Sequence, residues 1–159
     1  MGQYRYILLD AYPLSNCVIT INRKGTPFTI SDECRQWLTD CERGGATILV
    51  PAIVYYEELR ELERRQAIKK LERFRDYCFQ PGRFVPLTTE HLEMAARLWG
   101  ISRRSGAQTA DDKALDGDVI LAAQVLSLGM PPSDYIVATS NVKHLRPFVN
   151  ADEWQNITP

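Results

Sequence analysis

Short apolar runs alternating with amphipathic helical stretches predict an α/β fold, a three-layer α/β/α sandwich with a mostly parallel central sheet. Residues 6–9, 47–50, 84–87 and 135–139 are compact apolar runs, not the polar–apolar alternation of a sheet with one wet face. The stretches between them carry apolar residues at helical spacing. A length of 159 residues suits one domain over 1–159, burying roughly 70% of the surface its unfolded chain exposes. With 45% apolar and 25% charged residues, disordered and fibrous classes are excluded. No apolar run approaches the ~20 residues of a membrane span. Asp10 cuts the first run too early for a signal core, so a cytoplasmic protein without a membrane partner is expected. Nineteen Lys+Arg against 20 Asp+Glu gives a net charge of −1, mildly against a nucleic-acid partner.

The elements follow in order. Residues 6–9 form a buried strand that ends in Asp10. Leu14, Val18, Ile19 and Ile21 suit a helix started after Pro13, and Gly25 and Pro27 then break the chain. Thr29 or Ser31 caps a helix carrying Cys34, Trp37, Leu38 and Cys41, stopped by Gly44 and Gly45. After the strand 47–50, Pro51 opens the longest helical stretch, which runs to about Tyr77 with a break near Gln66. A shorter strand, 84–87, precedes a helix capped by Thr88 or Thr89. A polar loop then leads to an acidic segment, 111–118, and to a helix over 119–128 ended by Gly129. The strand 135–139 comes last, followed by a polar tail with a short helix near Leu145. The four cysteines form no CxxC pair and read as reduced core residues.

Parallel sheets bind ligands beyond the carboxyl ends of their strands, so the polar residues there carry the chemistry. Asp10 follows the first strand, and Glu57 and Glu58 lie about two turns into the helix after the second. Asp111, Asp112, Asp116 and Asp118 crowd the start of the helix that feeds the last strand, which ends in Thr139, Ser140 and Asn141. Carboxylates sharing one small space need a compensating charge. A hard divalent cation supplies it and keeps waters for a phosphate-bearing substrate. Each acid has a plainer reading too. Asp116 suits a helix N-cap and Asp118 a first-turn acid. Glu57 and Glu58 sit among Arg60, Glu61, Arg64 and Arg65, as on a solvated helix face.

The same residues resemble the motifs of PIN domains. Residues 7–14 (ILLDAYPL) are similar to the family's opening strand, 50–57 (VPAIVYYE) to its second motif, 118–124 (DVILAAQ) to its third, and 137–145 (VATSNVKHL) to its fourth. Four motifs in family order span nearly the whole chain. The resemblance implies a PIN-like sandwich and a Mg²⁺- or Mn²⁺-dependent ribonuclease site. The metal-binding acids would be Asp10, Glu57 and Asp118, with Asp116 as a fourth. Thr139 would orient a ligand or water and Asp112 would support the site. Asn141 stands where many members have an aspartate; it offers a carbonyl oxygen but no charge. Many members are VapC-type toxins of toxin–antitoxin pairs, so the implied partners are an RNA substrate, an antitoxin and a second copy in a homodimer.

Basic residues flank these acids: Arg60 and Arg64 on the long helical stretch, Arg103 and Arg104 before the acidic segment, and Lys143 after the last strand. Such groups would hold a phosphate backbone. Their interleaved acids make a charge-mixed surface an equal reading. Counting Asp10, Glu57 and Asp118 as metal ligands turns the net −1 into about +2 for the remaining surface. A catalytically weak PIN-like module that binds nucleic acid or protein is the alternative function. An unrelated hydrolase using Asp10 as nucleophile ranks last, since position 12 is Tyr12 and no phosphate-cradling glycine loop is present.

Overall fold

The computed structural model describes residues 2–106 and 112–159, with 112–114 described by their backbone alone. Five strands, β1 (Tyr6–Leu9), β2 (Thr47–Pro51), β3 (Phe84–Val85), β4 (Tyr135–Thr139) and β5 (Ala151–Glu153), form one sheet in the order β3-β2-β1-β4-β5. Every pairing is parallel; Ile7 faces Ile48 on one side and Ile136 on the other. Parallel strands need long crossovers, and the helices provide them. They are α1 (Ala11–Leu14), α2 (Ile30–Arg43), α3 (Ala52–Arg64), α4 (Ile68–Cys78), α5 (Thr89–Arg104), α6 (Asp112–Leu126) and α7 (Val142–Leu145). The chain steps from β1 outward to β3, then returns to the other side of β1 with β4. The strand order therefore reverses between β1 and β4, and the crevice beyond their carboxyl ends is where such sheets take ligands.

The core fills both faces of the sheet. Ile7, Leu8, Leu9, Val50, Val137 and Ala138 are buried against Trp37, Leu38 and Cys41 of α2, Val54 and Leu62 of α3, Phe74 of α4, and Leu121 and Val125 of α6. Burying each large aliphatic or aromatic side chain contributes about 1.5–3 kcal/mol. A smaller cluster, Ala95 with Leu115, Val119 and Ala123, seals α5 to α6. Gln124 is fully buried as well. Its amide donates to the Val85 and Pro86 carbonyls and accepts from the Ile53 N–H, which ties α6 to the end of β3 and the start of α3.

Several expectations are corrected. The helix after β1 begins at Ala11, ahead of Pro13, because Asp10 caps it through the Ala11 N–H, and a proline in a first helical turn has no bond to lose. It continues as a π-helical turn, Ser15–Ile19, and stops short of Ile21, which is exposed. α6 starts at Asp112, not after Gly117, because Leu115 extends the apolar stripe of Val119 and Ala123 one turn back against α5. Asp116 is therefore no N-cap and Asp118 no first-turn acid. β3 is two residues long, ending at Val85. The tail holds an unforeseen edge strand, β5, followed by the buried Trp154 and Ile157. Its three residues bury only Ala151, too short a pattern to read from sequence.

Candidate metal centre

Asp10 stands at the β1/β4 crevice. Its backbone N–H donates to the Ala138 carbonyl, so the β1/β4 ladder itself fixes the residue. One carboxylate oxygen accepts from the Ala11 N–H at 2.7 Å and the other from the Thr139 hydroxyl at 2.6 Å. Thr139 is fully buried, and its hydroxyl oxygen accepts in turn from the Asn141 N–H at 2.8 Å. Burial pushes the Asp10 carboxyl above its usual range, and the bonds from Thr139 and Ala11 oppose the shift.

Glu57 comes from the second turn of α3, which packs on both α1 and α6. Burial raises its carboxyl most, the charge of Asp10 adds to this, Arg60 eases it, and Asp118 raises it again. Asp118, in α6, is pushed up to about 6 by burial; His144 works against the shift and Asp10 adds to it. The His144 Nδ1 lies 3.4 Å from Asp118 Oδ2, longer than a good hydrogen bond, and among the described residues that buried oxygen has no closer polar partner. The charge of Asp10 thus reaches both Glu57 and Asp118, and that of Asp118 reaches Glu57, whereas no group of three acids, histidines or cysteines among the described residues stands ready-made for a metal ion. Glu58 also faces inward. Burial lifts it to about 7, a Ser15 hydrogen bond opposes this, and Glu57 and Asp10 repel it.

Asp116 lies apart from this trio. Asp116 is exposed and lines an apolar groove of about 370 Å³ between α5 and α6, with Leu92, Trp99 and Ile120; none of the three interacting acids lines it. Asp111 lies outside the described residues, and of Asp112 only its place at the start of α6 is described. Asn141 caps α7 from an exposed position and lines a polar pocket of about 480 Å³ with Lys143 and His144. Arg60 is exposed one turn beyond Glu57. Arg64 is paired with Glu61 at 2.7 Å. Arg103 and Arg104 end α5, the former 5.4 Å from the Trp99 ring.

Two contributors were not foreseen. A Cβ on Gly117 would fall 2.8 Å from Glu57 Oε1, so this glycine lets α6 approach the α3 carboxylate. Gln124 holds the same two helices together farther along α6. A helix-interior glycine costs about 1 kcal/mol against alanine, and that misfit between two aspartates was the available signal for Gly117.

No family model matches the chain, and no curated protein matches it in sequence. Solved structures do. FitAcB from Neisseria gonorrhoeae is 18% identical, covering 94% of this chain and 99% of that one at a TM-score of 0.63. VapBC2 from Rickettsia felis, bound to a DNA fragment from their promoter, is 12% identical over 94% and 98% at 0.66. VapBC-1 from nontypeable Haemophilus influenzae is 13% identical over 95% and 99% at 0.61. With an all-parallel five-stranded sheet and these structural neighbours, the chain has a PIN-like fold.

Proposed function

We propose that the protein is a metal-dependent endoribonuclease of the PIN type, acting as the toxin of a toxin–antitoxin pair. The observation that carries this reading is the set of Asp10, Glu57 and Asp118, each lifted by burial, with Asp10 also raising Glu57 and Asp118, and Asp118 raising Glu57. A carboxylate trio in which a buried Asp118 oxygen meets only the long His144 contact suits a hard divalent cation, Mg²⁺ or Mn²⁺. When bound, the cation would lower the pKa of a water and neutralise charge on a phosphodiester.

The chain's own residues have separable tasks. Thr139 and the Ala11 N–H fix the orientation of Asp10. Glu57 and Asp118 approach from the two helices that Gly117 and Gln124 hold together. Arg60 and Lys143 offer positive charge to the strand beyond the scissile phosphate. Asn141 would add a neutral oxygen donor from α7, whereas Asp116, in the apolar groove between α5 and α6, takes no part. An antitoxin and a second copy of the chain are the proposed protein partners.

Two observations favour a second reading, a binding module without turnover: among the described residues the acids do not already form a three-ligand group, and Asn141 brings no charge. RNA cleavage by purified protein in a Mn²⁺ titration separates the two. The nuclease reading predicts cleavage that a chelator stops and that Asp118→Ala lowers more than about 100-fold. Salt-sensitive RNA binding without cleavage supports the module instead, and unchanged cleavage by the Asp118 variant sinks the site assignment.

A further inference from the structure

All four cysteines are buried and free, but they are not equivalent. The sulfurs of Cys17 and Cys34 meet at 2.7 Å, one from the π-helical turn Ser15–Ile19 and the other from the second turn of α2. Among the described residues, neither Cys41 nor Cys78 has a sulfur at hydrogen-bonding distance. Side chains on both sides hold the contact. Ser31, one turn before Cys34, donates to the Asn16 side chain at 2.7 Å. Arg35, next after Cys34, donates from Nε to the Cys17 carbonyl at 3.2 Å and from a terminal nitrogen to the Thr20 carbonyl. Asn16, Cys17 and Thr20 are thus fastened to Ser31, Cys34 and Arg35, which share one face of α2 by their spacing. That keeps the two sulfurs facing each other, as a bridge between them requires. Two thiols are too few for a structural zinc site, and no group of three metal ligands stands among the described residues.

We propose that Cys17 and Cys34 are an oxidative modification site, which hydrogen peroxide converts to an intramolecular disulfide that staples the π-helical turn to α2. The Cys17 thiolate attacks the peroxide. A sulfur–oxygen bond forms, the oxygen–oxygen bond breaks, and the leaving hydroxide takes up the proton lost from the thiol. The Cys34 sulfur then attacks the sulfenic sulfur, and its proton departs with the hydroxyl as a second water. Two thiols lose two electrons, and the peroxide is reduced to two waters. The hydrogen bond with Cys34 and burial push the Cys17 thiol up and Arg35 opposes them, so thiolate is scarce and the bridge forms slowly. The bridge joins residues 17 apart and closes a loop that holds the exposed Ile21 and Phe28. It anchors the turn that follows directly on α1 and Asp10. The inference stands apart from the nuclease reading, and its test reads no catalytic activity.

The test incubates the folded wild-type chain with hydrogen peroxide, removes the excess with catalase, and unfolds the protein in an alkylating agent before mass analysis. The expected product has lost two hydrogen atoms, with Cys41 and Cys78 alkylated and Cys17 and Cys34 protected. A non-reducing tryptic digest then yields peptide 6–23 linked to peptide 25–35. The bridge raises the thermal midpoint by about 5–10 °C, and dithiothreitol reverses the rise. Each variant is compared with and without peroxide, so that a core substitution's own cost cancels. Cys17→Ala and Cys34→Ala show no rise, whereas Cys41→Ala shows it in full. Four alkylated cysteines in the peroxide-treated wild type overturn the inference, as does a bridge through Cys41 or Cys78, or further oxidation of Cys17 without a bridge. A Cys17–Cys34 bridge with an unchanged or lower midpoint overturns its role as a staple.

Discussion

The two halves of α3 hold glutamates one turn apart in opposite states. In the first half, burial and neighbouring carboxylates lift Glu57 and bring Glu58 to about 7. In the second, hydrogen bonds and charge from Arg64 and Arg65 hold Glu61 down to about 2. The residue type and helix are the same, and between residues 57 and 65 only Leu59 and Leu62 interrupt the charged residues. What differs is the surroundings. Glu57 and Glu58 look across at Asp10 and the start of α1, whereas Glu61 looks into solvent, where arginines three and four residues on can reach it. A raised carboxylate in a crevice marks a group held for something positive to arrive; a lowered one on a wet helix face already has its partner.

The largest expected effect separates these halves directly. Glu57→Gln lowers metal-dependent RNA cleavage more than about 100-fold, while Glu61→Gln changes it less than about threefold, both read as initial rates with Mn²⁺. Next comes the fixed orientation of Asp10. Thr139→Val removes the hydroxyl that donates to Asp10 and accepts from the Asn141 N–H, and it lowers cleavage about tenfold and stability by about 1–3 kcal/mol.

A comparable loss is expected for metal binding in Gly117→Ala. The added methyl displaces the Glu57 carboxylate and weakens Mn²⁺ affinity about tenfold, although alanine favours the helix and the melting temperature does not fall. A lower melting temperature with unchanged Mn²⁺ affinity would show a purely structural role.

The smallest effect is on the pH dependence of stability. The folded protein binds the Glu58 and Asp118 protons more tightly than the unfolded chain does, up to about pH 7 and about pH 6. Stability therefore falls as pH rises from about 4 through 7. Glu58→Gln flattens that slope in thermal melts, raising the midpoint at pH 8 and leaving it near wild type at pH 4. Glu61 is lowered instead, so its contribution is present above about pH 4.5 and is lost as pH falls toward 2, and Glu61→Gln removes that acid-side dependence.

The sequence was legible where one physical rule dominates. Dense apolar runs located β1, β2 and β4. The Thr29 and Thr88 caps and the Gln66 break, where φ is 52°, were marked by their local chemistry. Asp10 stood out because nothing in a hydrophobic strand calls for a terminal carboxylate. The face of each acid on α6 was not legible, because the helix start at Asp112 is set by packing of Leu115 on α5 and not by a cap. That start decides that Asp118 turns toward Asp10 while Asp116 turns to the apolar groove. Gln124 was readable as part of a helix but not as a clamp, since its three backbone partners lie 38 to 71 residues away in the chain. The likeness of Glu57 and Glu58 to a solvated face has the same origin. Charge pattern along a helix says which residues can pair, not what tertiary structure brings opposite them.

Mn²⁺ calorimetry on the wild type and on Asp118→Asn tests the central claim most directly, because the asparagine keeps the shape of the site and removes one of its three charges. Binding by the wild type and an affinity about 100-fold lower in the variant is the predicted result. Equal affinity in the two proteins, or no Mn²⁺ binding by the wild type, would contradict the assignment of Asp10, Glu57 and Asp118 as a cation site.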